Sequence, residues 1–186
     1  MLMQIQDGLA MRLWAIGTVL IVVMLGAIGC SQKMRAIQDY DEDIRLNPQH
    51  SEAYYNRGNA YTKLGQPERA IDDYDEAIRL DPQFAWAYHN RGVAYGDLGQ
   101  YERAIQDHDV AIRLDPQYAF AYSRRGWAYH FLGQYERAIQ DHDVSIRLDP
   151  RNPFAYHNRG LAYRELGKTT EAERDFAKAK ELGYKP

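Results

Sequence analysis

One interval governs this chain. Tyr54, Tyr88, Tyr122 and Tyr156 stand 34 residues apart, as do Gly58, Gly92, Gly126 and Gly160, and Tyr61, Tyr95, Tyr129 and Tyr163. Ala70, Ala104, Ala138 and Ala172 keep the same spacing. A period of that length marks stacked repeats, in which each unit buries its apolar face against the next. The units run 51–84, 85–118, 119–152 and 153–186, enough repeats to fold as an independent stack.

Each unit reads as two helices. The first is predicted from about Ala53 to Leu64 and is broken by Gly65-Gln66. The second is predicted from about Pro67 to Leu80, with proline at its favoured helix start, and Asp81-Pro82 ends it. A half unit precedes the four. Met34 to Tyr40 lines up with Glu68 to Tyr74, so 33–46 is a second helix without its first, within a segment 31–50. Asp43 stands where full units carry Ala77, Ala111 or Ser145, as suits a face left wet. At the other end, Ile71/Ile78, Ile105/Ile112 and Ile139/Ile146 give way to Glu173 and Lys180. Polar residues there are expected of a terminal cap, where the array stops.

The pattern resembles the tetratricopeptide repeat. Tyr54, Gly58, Tyr61, Ala70, Tyr74, Ala77 and Pro82 fill its aromatic, glycine, aromatic, alanine, aromatic, alanine and proline places in the first full unit, and the likeness covers 33–186. It departs where His108 and His142 replace the second-helix aromatic, and where the last unit lacks the proline. The resemblance implies an all-α, right-handed α-solenoid of helix-turn-helix units, four full and one half. It also implies a protein-binding scaffold whose first helices line a concave groove, rather than an enzyme.

The second and third units can be compared directly. Leu98 to Val110 matches Leu132 to Val144 without a change, and only nine of 34 places differ. Six lie in the first helix: Trp86/Phe120, His89/Ser123, Asn90/Arg124, Val93/Trp127, Gly96/His130 and Asp97/Phe131. They fall on one helical face. Gln117/Arg151 and Tyr118/Asn152 differ in the turn to the next unit. Drift with local packing between units is one explanation. A diversified binding face is the other, and it accounts for Trp127 and Phe131 on a surface stripe. The candidate groove residues are Tyr55, Asn59, Trp86, His89, Asn90, Val93, Phe120, Arg124, Trp127, His130, Phe131, Phe154, His157 and Asn158. Trp86, Phe120 and Phe154 share one place, where partial burial between repeats is also expected.

Other chemistries find little footing. Some tetratricopeptide domains clamp a chaperone's C-terminal carboxylate; Asn59, Asn90 and Arg124 match that clamp, but Tyr55 and Phe120 replace its lysines. Asp107-His108-Asp109 and Asp141-His142-Asp143 suggest metal or acid–base work, yet both histidines stand in a packed aromatic place. His89, His130 and His157 lie in different units without paired carboxylates, so neither a metal nor another cofactor is expected. Arg57, Arg91, Arg125 and Arg159 repeat on the constant stripe and read as structural. Net charge is −3 and no basic cluster exists, which disfavours nucleic acid. No phosphate loop, nucleophile elbow or HExxH motif is present.

The N-terminus carries its own signal. Leu13 to Cys30 is uncharged and follows Arg12, and Met11 would serve as a tidier start than Met1. Ala27-Ile28-Gly29-Cys30 resembles a bacterial lipobox, with Ala27 where leucine is usual and Cys30 as the lipidated residue. An uncleaved anchor is the alternative, although the run is short for a span of about 20 residues. A misread start or a packed helix is the third reading. On the first two, 1–30 is an export signal or membrane anchor, and the rest is expected to face the periplasm. The resulting expectation is a scaffold of the bacterial cell envelope, like the tetratricopeptide lipoproteins it resembles, with a protein or peptide as partner. A self-assembling module, pairing through the half unit at Lys33–Leu46, is the alternative of a different class.

Overall fold

The computed structural model describes residues 34–185, and these form helices alone. Helix α1 spans 34–46. It is followed by α2 (Ser51–Lys63), α3 (Pro67–Leu80), α4 (Ala85–Asp97) and α5 (Tyr101–Leu114). Then come α6 (Ala119–Phe131), α7 (Tyr135–Leu148), α8 (Pro153–Glu165) and α9 (Thr169–Glu181). The Leu13–Cys30 segment lies outside the described residues; among those described, no helix is long and apolar enough to cross a membrane.

The turns follow from local chemistry. Gly65, Gly99, Gly133 and Gly167 each adopt φ near +70°, a left-handed conformation that L side chains resist. At the first of these, the Gly65 amide donates to the Thr62 carbonyl and the Gln66 amide to that of Tyr61. Those bonds satisfy two carbonyls left over at the end of α2. The second helices stop differently. Asp81 turns extended, and its Oδ1 accepts from the Gln83 amide at 3.0 Å, as Asp115 does from Gln117.

Small residues set the helix spacing. Ala53, Ala70, Ala77, Ala87, Ala111, Ala121 and Ala138 are at most 1% exposed. Across each pair a ring fills the remaining space, so tightly that a Cβ on Gly58 would stand 2.7 Å from Tyr74. Every first helix packs on its own second helix, and every second helix on the next first helix. Isoleucines knit the units: Ile71 and Ile105 pack against the cluster of Tyr95, Ala104 and Ala128, and Ile105 and Ile139 against that of Tyr129, Ala138 and Ala162. Glu173 and Lys180, which take the isoleucine places in α9, are exposed. At the opposite end Asp43 is half-buried and lies 3.0 Å from His50 Nδ1.

Successive first helices α2, α4, α6 and α8 touch one another, whereas successive second helices do not. The stack therefore curls toward its first helices, and their outer edges line the inner side of the curve.

Candidate binding groove

The first helices carry a row of uncovered rings. Trp86, Phe120 and Phe154 recur at one register and are 56%, 56% and 61% exposed, so they are not sequestered between repeats. Arg124 beside them is exposed, and Asn158 is half-buried. Phe131 stacks on Tyr101 with ring centres 4.9 Å apart. Trp127 lies 4.4 Å from Phe131 and packs against Gly96, where a Cβ would stand 3.3 Å from its ring. His130 contacts Phe131 and Tyr135 at the same end of α6. Trp127 is thus half-buried, and the paired change of Val93 to Trp127 and Asp97 to Phe131 builds a small aromatic cluster.

His89 is a correction. It is only 7% exposed and lies against His108 at 5.2 Å and Tyr118 at 4.7 Å, rather than on the open face. The cause is its neighbour: the residue just before α4, and again before α6, folds back over the unit before. Phe84 covers Tyr55 at 4.8 Å and Tyr118 covers His89. Past α9, Tyr184, in the place of Pro82, Pro116 and Pro150, stacks on His157 at 4.0 Å and 15°. The joint between the third and fourth units breaks this rule. There Ser123 and Asn152 replace the two rings, and a cavity of about 340 Å³ opens between α6 and α8, with Phe120, Arg124, Trp127, Phe154 and Asn158 around it. Asn152 Oδ1 is held by the Phe154 amide at 3.0 Å, which caps α8. The sequence places Tyr118/Asn152 in the turn to the next unit but gives it no role; its change together with His89/Ser123 is the signal.

Comparison with known proteins settles the lineage. Patterns described as TPR repeat match 58–99 and 128–167, and those described as tetratricopeptide repeat match 40–72, 85–118, 109–140 and 153–184. The crystal structure of MamA aligns at 32% identity and TM-score 0.73, over 78% of this chain and 85% of MamA. The chain belongs to the tetratricopeptide-repeat family. The first TPR of Spaghetti (RPAP3), solved bound to the HSP90 peptide SRMEEVD, aligns at 32% identity and TM-score 0.63, over 64% of this chain and 94% of that one. The second TPR domain of human RPAP3, in complex with the HSP70 peptide SGPTIEEVD, aligns at 38% and 0.57, over 59% and 91%. No curated protein matches the sequence significantly.

Within this tetratricopeptide stack, the asparagines matched to the carboxylate clamp are engaged with their neighbours. Asn90 Nδ2 donates to Asn59 Oδ1 at 2.7 Å and to the Tyr55 hydroxyl at 3.2 Å. Asn59 Oδ1 also accepts from the Tyr74 hydroxyl at 2.8 Å, which in turn pairs with Thr62. The next unit has Val93 and Gly96 where Asn59 and Thr62 stand, so a phenol would find no partner, and His108 takes its place. His108 and His142 are 1% and 0% exposed, and both ring nitrogens of His142 are unpaired among the described residues. Burial pushes the His89 imidazole down to about 4, reinforced by Arg124, and His142 to about 3. These rings are neutral at pH 7 and pack as aromatics. Among the described residues no cluster of metal-ligating side chains forms.

The four repeated arginines have partners on the far side of the stack. Arg125 Nε and Nη2 make a forked bond to Asp141 at 2.8 and 2.7 Å, while Nη1 reaches Asp109 of the previous unit. Arg57, Arg91 and Arg159 repeat the pattern with Asp73/Asp41, Asp107/Asp75 and Asp175/Asp143. Burial raises the Asp107 carboxyl while the Arg91 guanidinium pulls it back. Each arginine clips one unit to the preceding helix.

Proposed function

We propose that this protein is a membrane-held adaptor that grips an extended peptide or protein segment along its first helices. The observation that carries this reading is the row of Trp86, Phe120 and Phe154, each more than half exposed at one register beside the Phe120–Phe154 cavity. Contiguous exposed rings rimmed by polar groups are interaction surfaces, and aromatic and arginine side chains supply most of the binding energy. Peptide-bound relatives such as the RPAP3 domains support it. The grip differs from a carboxylate clamp, since Asn59 and Asn90 are tied to each other and Phe120 and Tyr55 stand in the lysine places. The fitting ligand is apolar in part and carries an acidic group for Arg124.

The Leu13–Cys30 run supplies the tether in this reading, with Cys30 as the lipid-bearing residue and the repeats facing the periplasm. Palmitate labelling of the full chain in a bacterial host, beside Cys30→Ala, tests the tether. Label on the wild type alone supports the lipid. Membrane association without label in either indicates an uncleaved anchor, and free protein in both refutes the tether.

Selection of a random displayed peptide library on the full chain in detergent tests the groove. Selected peptides are expected to bind Phe120→Ser/Phe154→Ser at least about tenfold more weakly, or about 1.4 kcal/mol. Equal binding would remove the groove as the working surface.

A further inference from the structure

We propose that the Ser123–Asn152 gap is a specificity pocket for one aromatic side chain, tyrosine above all, of the segment bound in the groove. This rests on the groove reading above. The argument begins from the joints. Phe84 over Tyr55 and Tyr118 over His89 place a ring on a ring at the corresponding positions of the first two full units, and past α9 Tyr184 covers His157 from a different place in the register. Only between α6 and α8 are both rings missing, and the space they would occupy is the cavity of about 340 Å³. That lies at the lower end of the roughly 300–1,000 Å³ typical of ligand clefts.

The lining chooses the occupant. Phe120 and Phe154, both exposed, stand at the mouth, with Trp127 beside them. Ser123 and Asn152 are 7% and 6% exposed, and the Ser123 hydroxyl makes no hydrogen bond among the described residues. An entering phenol ring takes the place that Tyr118 holds over His89. Its faces meet the phenylalanine rings, and its hydroxyl meets Ser123 and the amide of Asn152. An aliphatic side chain would close the cavity while leaving those polar groups unpaired, which penalises it. Arg124 at the rim pairs with a carboxylate on the same segment.

The test uses the full chain in detergent and a random displayed peptide library. Ser123→His/Asn152→Tyr rebuilds the ring pair of the neighbouring unit and plugs the gap. Wild-type protein is expected to enrich peptides with an aromatic residue at one fixed position. The plugged variant, melting within a few degrees of wild type, is expected to bind those peptides at least about tenfold more weakly and to lose the aromatic preference. Ser123→His alone keeps the Asn152 cap and decides the matter if the double variant fails to fold. Enrichment without a fixed aromatic, or equal binding by the plugged variants, overturns the pocket and leaves the groove standing. No enrichment by well-folded wild type overturns both.

Discussion

The two sides of the stack follow opposite rules. On the second-helix side, four arginines make the same forked bond to an aspartate sixteen residues on, and each reaches back to the unit before. On the first-helix side no two joints are alike: Tyr55 under Phe84, His89 under Tyr118, Ser123 beside Asn152, His157 under Tyr184. The difference teaches how such an array separates its tasks. A repeated ion-pair ladder sets the spacing of units from one side, so the other can exchange rings for gaps without losing register.

Acid tests which side gives way first. The buried imidazoles of His89 and His142 hold protons only near pH 4 and 3 when folded, against about 6.5 when unfolded. Protonation therefore favours the unfolded chain. Stability is expected to be full above pH 6.5 and to fall as pH drops toward 4, each ring approaching roughly 1.4 kcal/mol per pH unit. Thermal melts across that range check it, and a flat profile would place the rings in water.

The ladder itself comes next. Asp141→Ala strands a half-buried guanidinium and is expected to cost about 3 kcal/mol, whereas Asp109→Ala, at the exposed end of the same arginine, costs less than about 1 kcal/mol. Urea titration of both separates them, and equal losses would dissolve the distinction between inner and outer partners. The exchange of His108 falls between these two. His108→Tyr introduces a phenol without the partners that Tyr74 has, and is expected to cost about 1–3 kcal/mol. Adding Val93→Asn restores the acceptor that Asn59 gives Tyr74 and recovers part of the loss. Such rescue identifies the His108 environment as a coupled packing set.

Much of this could be read from the chain. The interval of Tyr54, Gly58 and Ala70 gives the units, and Gly65 and Pro67 give the helix ends. Polar Glu173 and Lys180 mark the exposed face of α9. What escaped was whatever two units decide together. The arginine partners lie sixteen residues away in both directions, on different helices, so one stripe could not reveal them. His89 looked open because its own helix leaves it open; Tyr118 of the next turn covers it. The same interdependence hid the gap at Ser123, which is legible only when residue 152 is read with it. Variation at Gly96 and Trp127 proved partly a matter of one ring fitting against the absence of a Cβ.

The division of labour has one direct measurement. Phe120→Ser/Phe154→Ser should melt with wild type to within about 0.5 kcal/mol, since both rings are exposed. Calorimetric titration of a library-selected peptide into both proteins should then show the affinity falling at least about tenfold. An unchanged affinity at matched stability would contradict the account, because the variable side would then have no ligand to serve.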